Sequence, residues 1–234
     1  MEQAKIKQFA DALYTAESER KAIPPLTEQE PSMTVEDAYA VQLANVERVT
    51  AAGEVISGKK IGLTSPSIQQ QLGVNEPDYG HLFASMDCTG KPVQTAELMQ
   101  PKIEGELAFV LKADLAGGKV TVEDVQKATD YVVAAFEIVD SRVADWKIKL
   151  PDTVADNASS GRYILGGTKL PVDAVSLPAV TMKLYKNGEL AGEGTGSAEL
   201  GNPRTAVAWL ANCQWQYSVT LEPGADIFHC AFSA

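Results

Sequence analysis

Apolar residues in the first 50 positions recur at helical spacing. Four of them fall at i, i+3, i+4 and i+7 and form one stripe of an amphipathic helix: Ile6, Phe9, Ala10 and Leu13. After a proline-containing loop, Thr34 and Asp37 have the spacing of a capping box, which predicts the start of a second helix. Gly53 is expected to end that helix, because glycine readily adopts the left-handed conformation that follows many helices.

From about Val55 onward the pattern changes to short apolar runs separated by glycine, proline, asparagine and aspartate. Ile103–Leu111 and Tyr131–Val139 have the character of strands. Asn187-Gly188 lies between two further strand-like runs and is the strongest type of signal for a hairpin turn. This part of the chain is therefore predicted to be rich in β-structure.

Two more helices are predicted among these strands. Thr121 is expected to cap a short helix that runs to about Asp130, and Asn202-Pro203 supplies an N-cap and a first-turn proline for another. The whole pattern predicts an α+β protein. We expect a helical N-terminal subdomain over residues 1–54, packed on a β-rich body over residues 55–234.

Composition and charge exclude several classes of protein. The 234 residues are 45% hydrophobic and 22% charged, which is typical of a folded chain. The net charge of −11 disfavours nucleic acids and anionic membranes as partners. No apolar run approaches the roughly 18 residues of a membrane span and the N-terminus does not resemble a signal peptide, so we expect a cytoplasmic protein. Three scattered cysteines predict reduced thiols and no disulfide framework.

Two glycine-containing segments approach nucleotide-binding motifs but lack the required context. Gly53 and Gly58-Lys59 have the spacing of a phosphate-binding loop, yet Lys60 stands where that loop needs serine or threonine. Glycines at 192, 194 and 196 follow a predicted hairpin instead of opening a helix after a strand. Neither segment predicts a nucleotide site.

Glu104 and Glu106 are the first candidates for a functional site, because their carboxylates lie two residues apart. On a strand, residues two apart point to the same face, so both carboxylates share one side of the predicted strand. At a separation of ~6–7 Å they repel by roughly 2–3 kcal/mol for an effective dielectric of about 20. On a solvated face this repulsion would be screened, and the pair would have no special meaning.

A third carboxylate, Glu137, lies in an almost continuously apolar strand that we expect to be buried on both faces. An ionised glutamate there needs a cation or a raised pKa. Arg142 or Lys102 is one possible partner, and a metal ion shared by all three carboxylates is the other. Ligands that are only oxygen favour Mg²⁺, Mn²⁺ or Ca²⁺ over zinc.

Two polar segments are candidates for substrate contacts, although each is ordinary alone. Lys59–Ser65 places lysines at the start of an apolar strand, and Asp152–Gly161 is predicted to be a loop of small polar residues.

With these segments included, the chain resembles the 2-keto-4-pentenoate hydratases of the fumarylacetoacetate hydrolase superfamily. The resemblance runs from the N-terminal helix to about Gly224, nearly the whole chain. Five motifs carry it: Gly58–Ser65, Gln71–Gly80, Glu104 with Glu106, Glu137–Arg142 and Val154–Ser160.

The resemblance implies a mixed β-sheet roll with flanking helices. It also implies a divalent metal ion, Mg²⁺ or Mn²⁺, on Glu104, Glu106 and Glu137. Lys60 matches the active-site lysine of the family, and Ser160 matches a residue that lines the substrate pocket.

The related 4-oxalocrotonate decarboxylases share the glutamates and the lysine, so Asp78 is expected to decide between the two activities. Hydratases have aspartate at this position and the decarboxylases an apolar residue, and adding water requires a group that handles its proton. We therefore expect Lys60 and Asp78 to be catalytic, and Ser160 and Arg142 to bind substrate.

The expected reaction is the hydration of 2-hydroxypenta-2,4-dienoate (2-keto-4-pentenoate) to 4-hydroxy-2-oxopentanoate, a step of aromatic meta-cleavage catabolism. Decarboxylation of a 4-oxalocrotonate-type 2-oxo acid is the alternative. Ala225–Ala231 depart from the family pattern, and the catalytic body is expected to be shortened at its C-terminus. An inactive, truncated oligomerisation partner is therefore a further alternative. The resemblance also implies a homo-oligomer and a complex with the decarboxylase of the pathway.

Overall fold

A computed structural model of the protein describes residues 1–66, 69–70, 73–198, 200–215 and 219–230. Gln71 and Leu72 of the second family motif lie outside the described residues, as does Ala231. The helices are α1 (Gln3–Glu19), α2 (Leu26–Gln29), α3 (Val35–Ala51), α4 (Val122–Ala128), α5 (Leu150–Ala155) and α6 (Pro203–Trp215). The strands are β1 (Ile56–Gly62), β2 (Asp78–Phe83), β3 (Lys102–Leu111), β4 (Thr129–Val139), β5 (Ser160–Leu165), β6 (Thr181–Lys186), β7 (Glu189–Thr195) and β8 (Asp226–Cys230).

The N-terminal helices form where the apolar spacing predicts them. The four-residue stripe of α1 is buried, and α1 packs against α3. The predicted capping box is confirmed, because Thr34 accepts a hydrogen bond from the Asp37 N–H and Asp37 accepts one from the Thr34 N–H. Helix α3 ends at Ala51, and Gly53 follows with a φ of 101°, a conformation that glycine tolerates best.

The other local signals are also confirmed, with one change of boundary. Thr121 caps α4 as predicted, but the helix ends at Ala128 and not at Asp130, because β4 already begins at Thr129. The Asn187-Gly188 turn joins β6 to β7 with positive φ at both residues.

Six strands form one mixed sheet in the order β2-β1-β8-β3-β4-β5, while β6 and β7 form a separate hairpin. Strands β1 and β8 run parallel, and the remaining neighbours in the large sheet are antiparallel. The protein is therefore of mixed helix and strand type, and its large sheet curls into a half-barrel. The curl brings together residues of strands that are not neighbours, and it builds the site described below.

The apolar core joins the helices to the sheet. One cluster on the helix-covered side unites helices α1 and α6 with strands β1 and β3: Phe9, Leu13, Ile61, Phe109 and Leu210 are among its members. A second cluster lies on the inner face of the sheet and includes Leu82, Ala108, Val133 and Tyr163. Each large apolar side chain buried in this way stabilises the fold by about 1.5–3 kcal/mol.

Two expectations from the sequence are wrong in part. Strand β4 is not buried on both faces, since Ala134 and Phe136 are exposed in its middle, although Glu137 itself is fully buried. The segment from Asp152 to Gly161 is not one surface loop, because its first four residues belong to α5 and Asp152 is buried. Asp152 accepts hydrogen bonds from the N–H and the hydroxyl of Thr27, and this contact fixes α5 against α2.

Among the described residues, no helix is long and apolar enough to cross a membrane. Cys88 and Cys213 are free thiols, as predicted.

Candidate active site

Three glutamates converge on the inner face of the sheet. Glu104 of β3 lies directly opposite Glu137 of β4 in the antiparallel register, and Glu106 follows two residues along β3 on the same face. One carboxylate oxygen from each lies within 4.8 Å of the others. The alternation of the strand and the pairing of β3 with β4 thus create a cluster of three carboxylates.

Two of these carboxylates are buried without ordinary hydrogen bonds. Glu106 and Glu137 are both 0% exposed, and among the described residues no donor of ordinary hydrogen-bond geometry satisfies their carboxylate oxygens. Glu137 Oε2 has only an ion pair with Lys60. Burial raises the pKa of Glu106 well above its usual value, and the charges of Glu137 and Glu104 raise it further. Burial also raises the pKa of Glu137 to about 7, although Lys60 opposes the shift.

This arrangement fits a divalent cation. Buried carboxylate oxygens that lack donors are costly, and a cation held by Glu104, Glu106 and Glu137 would satisfy them together. A donor set made only of oxygen suits Mg²⁺ or Mn²⁺ better than zinc.

Lys60 on β1 is the cation nearest to Glu137. Its Nζ lies 3.3 Å from Glu137 Oε2, and it donates a hydrogen bond of 3.0 Å to the carbonyl oxygen of Ala158. The alternative ion pairs of Glu137 with Arg142 or Lys102 are therefore not what the structure shows. The ammonium of Lys102 lies 4.3 Å from the centroid of the Trp146 ring instead.

Asp78 lies beside Lys60 at the start of β2. It pairs with Gly62 in the antiparallel register, and its Oδ1 would be only 2.3 Å from a Cβ on Gly62, with Lys60 Nζ at 3.5 Å from the same point. Burial is the main reason that the pKa of Asp78 is raised; the charge of Glu104 adds to the shift and Lys60 opposes it. The absence of a side chain at Gly62 is what lets the carboxylate of Asp78 occupy this place.

Ser160 lies against the same part of the sheet. Its hydroxyl donates a hydrogen bond of 2.8 Å to the Asn157 carbonyl, and its Oγ would be 2.9 Å from a Cβ on Gly80. Because Gly80 pairs with Lys60 in the sheet, Ser160 is close to the catalytic lysine predicted from the sequence.

Arg142, unlike the other predicted site residues, has its charged group hydrogen-bonded to the segment around Asp156 and Ser160. Its guanidinium is buried, with Nε donating to Asp156 Oδ1, Nη1 to the Ser160 carbonyl and Nη2 to the Asp156 carbonyl. The guanidinium thus binds the segment that leads into β5 and the first residue of that strand.

Some features of the site were missed by the sequence reasoning. Lys60 donates a hydrogen bond to the backbone carbonyl of Ala158, and a backbone contact of this kind cannot be inferred from the type of side chain. The left-handed conformation at residues 157–159 occurs without any glycine. Gly62 belongs to a motif that pointed to the family. That it leaves room for the Asp78 carboxylate follows only from the pairing of β1 with β2.

Comparison with known proteins agrees with this geometry. The sequence profile described as fumarylacetoacetate (FAA) hydrolase C-terminal matches residues 65–229. The chain is 46% identical over 228 residues to 2-hydroxyhexa-2,4-dienoate hydratase of Comamonas testosteroni. This alignment covers 94% of this chain and 86% of the relative. It is also 46% identical over 221 residues to 2-hydroxypent-2,4-dienoate hydratase of Pseudomonas putida, covering 94% of this chain and 100% of the relative.

Among solved structures, 4-oxalocrotonate decarboxylase of Pseudomonas putida G7, complexed with magnesium and adipate, superposes with a TM-score of 0.95. That chain is 36% identical, and the match covers 100% of this chain and 89% of the decarboxylase. The profile match, the close relatives and the carboxylate cluster agree: this chain belongs to the 2-keto-4-pentenoate hydratase family of the fumarylacetoacetate hydrolase superfamily.

Proposed function

We propose that this protein is a metal-dependent hydratase that adds water to 2-hydroxypenta-2,4-dienoate and forms 4-hydroxy-2-oxopentanoate. Its relatives at 46% identity over 94% of the chain are named hydratases of 2-hydroxydienoates. The observation that carries the proposal is the position of Asp78. A buried carboxylate beside Lys60 and the glutamate cluster is the group that water addition requires.

Glu104, Glu106 and Glu137 would hold the cation, Mg²⁺ or Mn²⁺. When bound there, the cation neutralises the charge of the substrate carboxylate and polarises its C2 oxygen. The triad carries three formal negative charges and Lys60 one positive charge. A divalent ion would therefore bring the cluster close to neutrality and reduce the repulsion that raises the pKa of Glu106.

The reaction needs two kinds of proton handling. The C2 hydroxyl of the dienol loses its proton while C5 gains one, which gives an enone. Water then adds its oxygen at C4 and loses one proton to the solvent or to a protein group, and C3 gains a proton to complete the 2-oxo product. We assign Asp78 to orient that water and accept its proton, since burial makes this carboxylate a stronger base than an exposed aspartate. Lys60, held between Glu137 and the Ala158 carbonyl, supplies a positive charge and N–H donors beside it.

Ser160 is proposed to line the pocket next to Lys60, in line with its contact to Gly80. We also propose that the protein forms a homo-oligomer, associates with the decarboxylase that produces its substrate, and acts in the cytoplasm. Support for self-association comes from the β6–β7 hairpin, on which Tyr185 and Leu190 are large, exposed and apolar.

The direct test is an assay with freshly generated 2-hydroxypenta-2,4-dienoate, with Mg²⁺, with Mn²⁺ and with excess chelator. We expect loss of the dienoate absorbance and formation of 4-hydroxy-2-oxopentanoate with either metal, and none in chelator. Glu106→Gln should be inactive, whereas the exposed Glu97→Gln serves as the matched control and should behave like the wild type.

The same preparation separates the two alternatives. The structural match to 4-oxalocrotonate decarboxylase favours decarboxylation as the second candidate activity. Release of carbon dioxide from a 2-oxo diacid, without hydration of the dienoate, would support that activity and refute the hydratase. Absence of Mn²⁺ binding in calorimetry, together with absence of both activities, would instead support an inactive oligomerisation partner.

A further inference from the structure

The turn before β5 has an unusual backbone. Asn157, Ala158 and Ser159 adopt φ values of 54°, 49° and 53°, and none of them is glycine. The left-handed conformation costs an ordinary residue about 1–2 kcal/mol. Three in succession persist only where neighbouring groups hold the turn in place.

The guanidinium of Arg142 donates hydrogen bonds to both ends of this turn. Its Nη2 donates to the carbonyl of Asp156, directly before the turn, and its Nη1 donates over 2.7 Å to the carbonyl of Ser160, directly after it. Its Nε donates to the Asp156 carboxylate, which also accepts the backbone N–H of Arg142 at 3.0 Å. One buried side chain therefore fixes the distance between the two ends of the turn.

Strand β2 holds the turn from the other side. The Asn157 side chain accepts the His81 N–H at 2.7 Å and donates to the His81 carbonyl at 2.8 Å, as a neighbouring strand would. Gly80 lets the two segments approach, because a Cβ there would be 2.4 Å from the Asn157 carbonyl oxygen. The turn is thus clamped between Arg142 and the backbone of β2.

The middle of the clamped turn is where the active-site lysine is bound. The Ala158 carbonyl accepts the Lys60 ammonium at 3.0 Å, while Glu137 contacts the same ammonium at 3.3 Å. These two contacts restrict the direction of the Lys60 side chain, and the position of the Ala158 carbonyl depends on the turn.

We propose that Arg142 is a positioning residue for Lys60 and acts through the turn at residues 157–159; this inference rests on the proposed hydratase function. Arginine suits the role because its planar fork presents several N–H donors at fixed angles. Lysine at this position would keep the positive charge beside Asp156 but would not bind both flanking carbonyls. Arg142→Lys therefore separates the geometry of the clamp from its charge.

The test is a double-mutant cycle between Arg142→Lys and Lys60→Met. We expect Arg142→Lys alone to lower kcat by about 10–100-fold, the scale for a misplaced catalytic group, with KM and Mn²⁺ affinity within about threefold of the wild type. In the Lys60→Met background, Arg142→Lys should change the residual rate by less than about twofold, since its effect passes through Lys60. Effects that multiply in the double variant would overturn the proposal, as would a raised KM with unchanged kcat, which indicates direct substrate contact.

A second readout does not depend on turnover. In protein labelled with ¹⁵N-lysine, the ammonium of Lys60 should give a slowly exchanging signal, assigned by its loss in Lys60→Met, and Arg142→Lys should weaken it. An unchanged Lys60 signal would overturn the positioning role. If the wild type shows this signal but does not hydrate the dienoate, the hydratase function fails while the positioning role stands.

Two further variants distinguish loss of the Arg142 contacts from a general loss of folding. Arg204 is also buried and donates to a backbone carbonyl, that of Val172, so Arg204→Lys is the control and should leave kcat and the Lys60 signal unchanged. If Arg142→Lys does not fold, Asn157→Ala loosens the same turn from the β2 side. It should lower kcat in the wild-type background but not in Lys60→Met; an equal loss in both backgrounds would refute the proposal.

Discussion

The ammonium of Lys60 on β1 lies 3.3 Å from a carboxylate oxygen of Glu137 on β4, although two strands separate β1 from β4 in the sheet. Neighbouring strands are about 4.8 Å apart, so a flat sheet would leave the two backbones roughly 14 Å from each other. Because the sheet curls, side chains on its inner face converge, and the long Lys60 side chain brings its ammonium to the carboxylate cluster. A divalent cation held by the three glutamates would therefore share Glu137 with Lys60.

Replacing Lys60 with methionine should separate catalysis from metal binding. The side chain keeps a similar volume but loses its charge, so we expect kcat to fall by about 10²-fold or more. Mn²⁺ affinity should be maintained or increased, because the ammonium no longer competes for Glu137. Isothermal titration with Mn²⁺ and steady-state assays measure both quantities. Loss of Mn²⁺ binding in Lys60→Met would show that the lysine supports the metal site instead of the reaction.

Glu106→Gln should have opposite effects on stability with and without metal. The substitution removes a buried carboxyl group whose ionised form is disfavoured by burial and by the charges of Glu137 and Glu104, so in chelator the variant should unfold at a higher temperature than the wild type. Saturating Mn²⁺ should stabilise the wild type, by about 2.7 kcal/mol at a concentration of 100 times Kd, and leave the variant almost unchanged. Thermal unfolding in chelator and in Mn²⁺ measures this, with the exposed Glu97→Gln as control. An equal response of Glu106→Gln and the wild type to Mn²⁺ would remove Glu106 from the metal site.

Features that depend on local rules were predictable from the sequence. The capping boxes at Thr34 and Thr121 follow from residues three positions apart, and the shared face of Glu104 and Glu106 follows from strand alternation. Burial of Glu137 followed from the apolar residues around it, although part of the same strand is exposed.

Features that depend on distant contacts were not predictable. The insertion of β8 between β1 and β3, and the curl that lets Lys60 reach Glu137, are properties of the whole sheet. The left-handed turn that contains Ala158 is held by hydrogen bonds from Arg142 and to the β2 backbone, and it contains no glycine that would have marked it. The contact of Asp152 with Thr27, 125 residues away in sequence, fixes helix α5 from outside its own segment.

Gly62→Ala should impair catalysis without affecting the metal site. A Cβ at this position would lie 2.3 Å from Asp78 Oδ1, so the carboxylate must move away from its place beside Lys60. We expect kcat to fall by about tenfold or more while Mn²⁺ affinity stays the same, the scale expected when a catalytic group is displaced by a fraction of an ångström to one ångström. Gly167→Ala is the control, because a Cβ there meets nothing within 4 Å. Equal rates for the two variants would mean that the position of Asp78 is not critical.

His81 should make the fold sensitive to mild acid. Gln42 donates its amide N–H groups to two carbonyls, so its Oε1 accepts a hydrogen bond of 3.1 Å from His81 Nδ1–H. Burial, with Lys59 nearby, lowers the pKa of His81 to about 3. The unfolded chain binds a proton near pH 6.5 but the folded one does not, so the stability present above pH 6.5 is lost progressively as the pH falls towards 3. Between pH 7.5 and pH 5 this residue should lower the free energy of unfolding by roughly 2 kcal/mol.

Urea unfolding at the two pH values measures this effect by comparison with His81→Asn. Asparagine can keep a donor near the position of Nδ1 but does not titrate. The decrease in stability from pH 7.5 to pH 5 should therefore be smaller in the variant by about the same 2 kcal/mol. An identical decrease in both proteins would show that His81 is not the source of the acid sensitivity.

Asp78→Asn tests the residue to which we assign the proton of the added water. Asparagine keeps the shape of the side chain and removes its capacity to take a proton from water, so hydration should fall by about 10²-fold or more. Exchange of the C5 proton of the dienoate with deuterated solvent, followed by NMR, should continue at a rate close to that of the wild type, because that step precedes the addition of water. Mn²⁺ affinity should also be unchanged, since Asp78 is not one of the three clustered glutamates. Hydration at a near wild-type rate would mean that Asp78 serves only to begin strand β2, and the structural likeness to the decarboxylase would then become the stronger guide to the reaction.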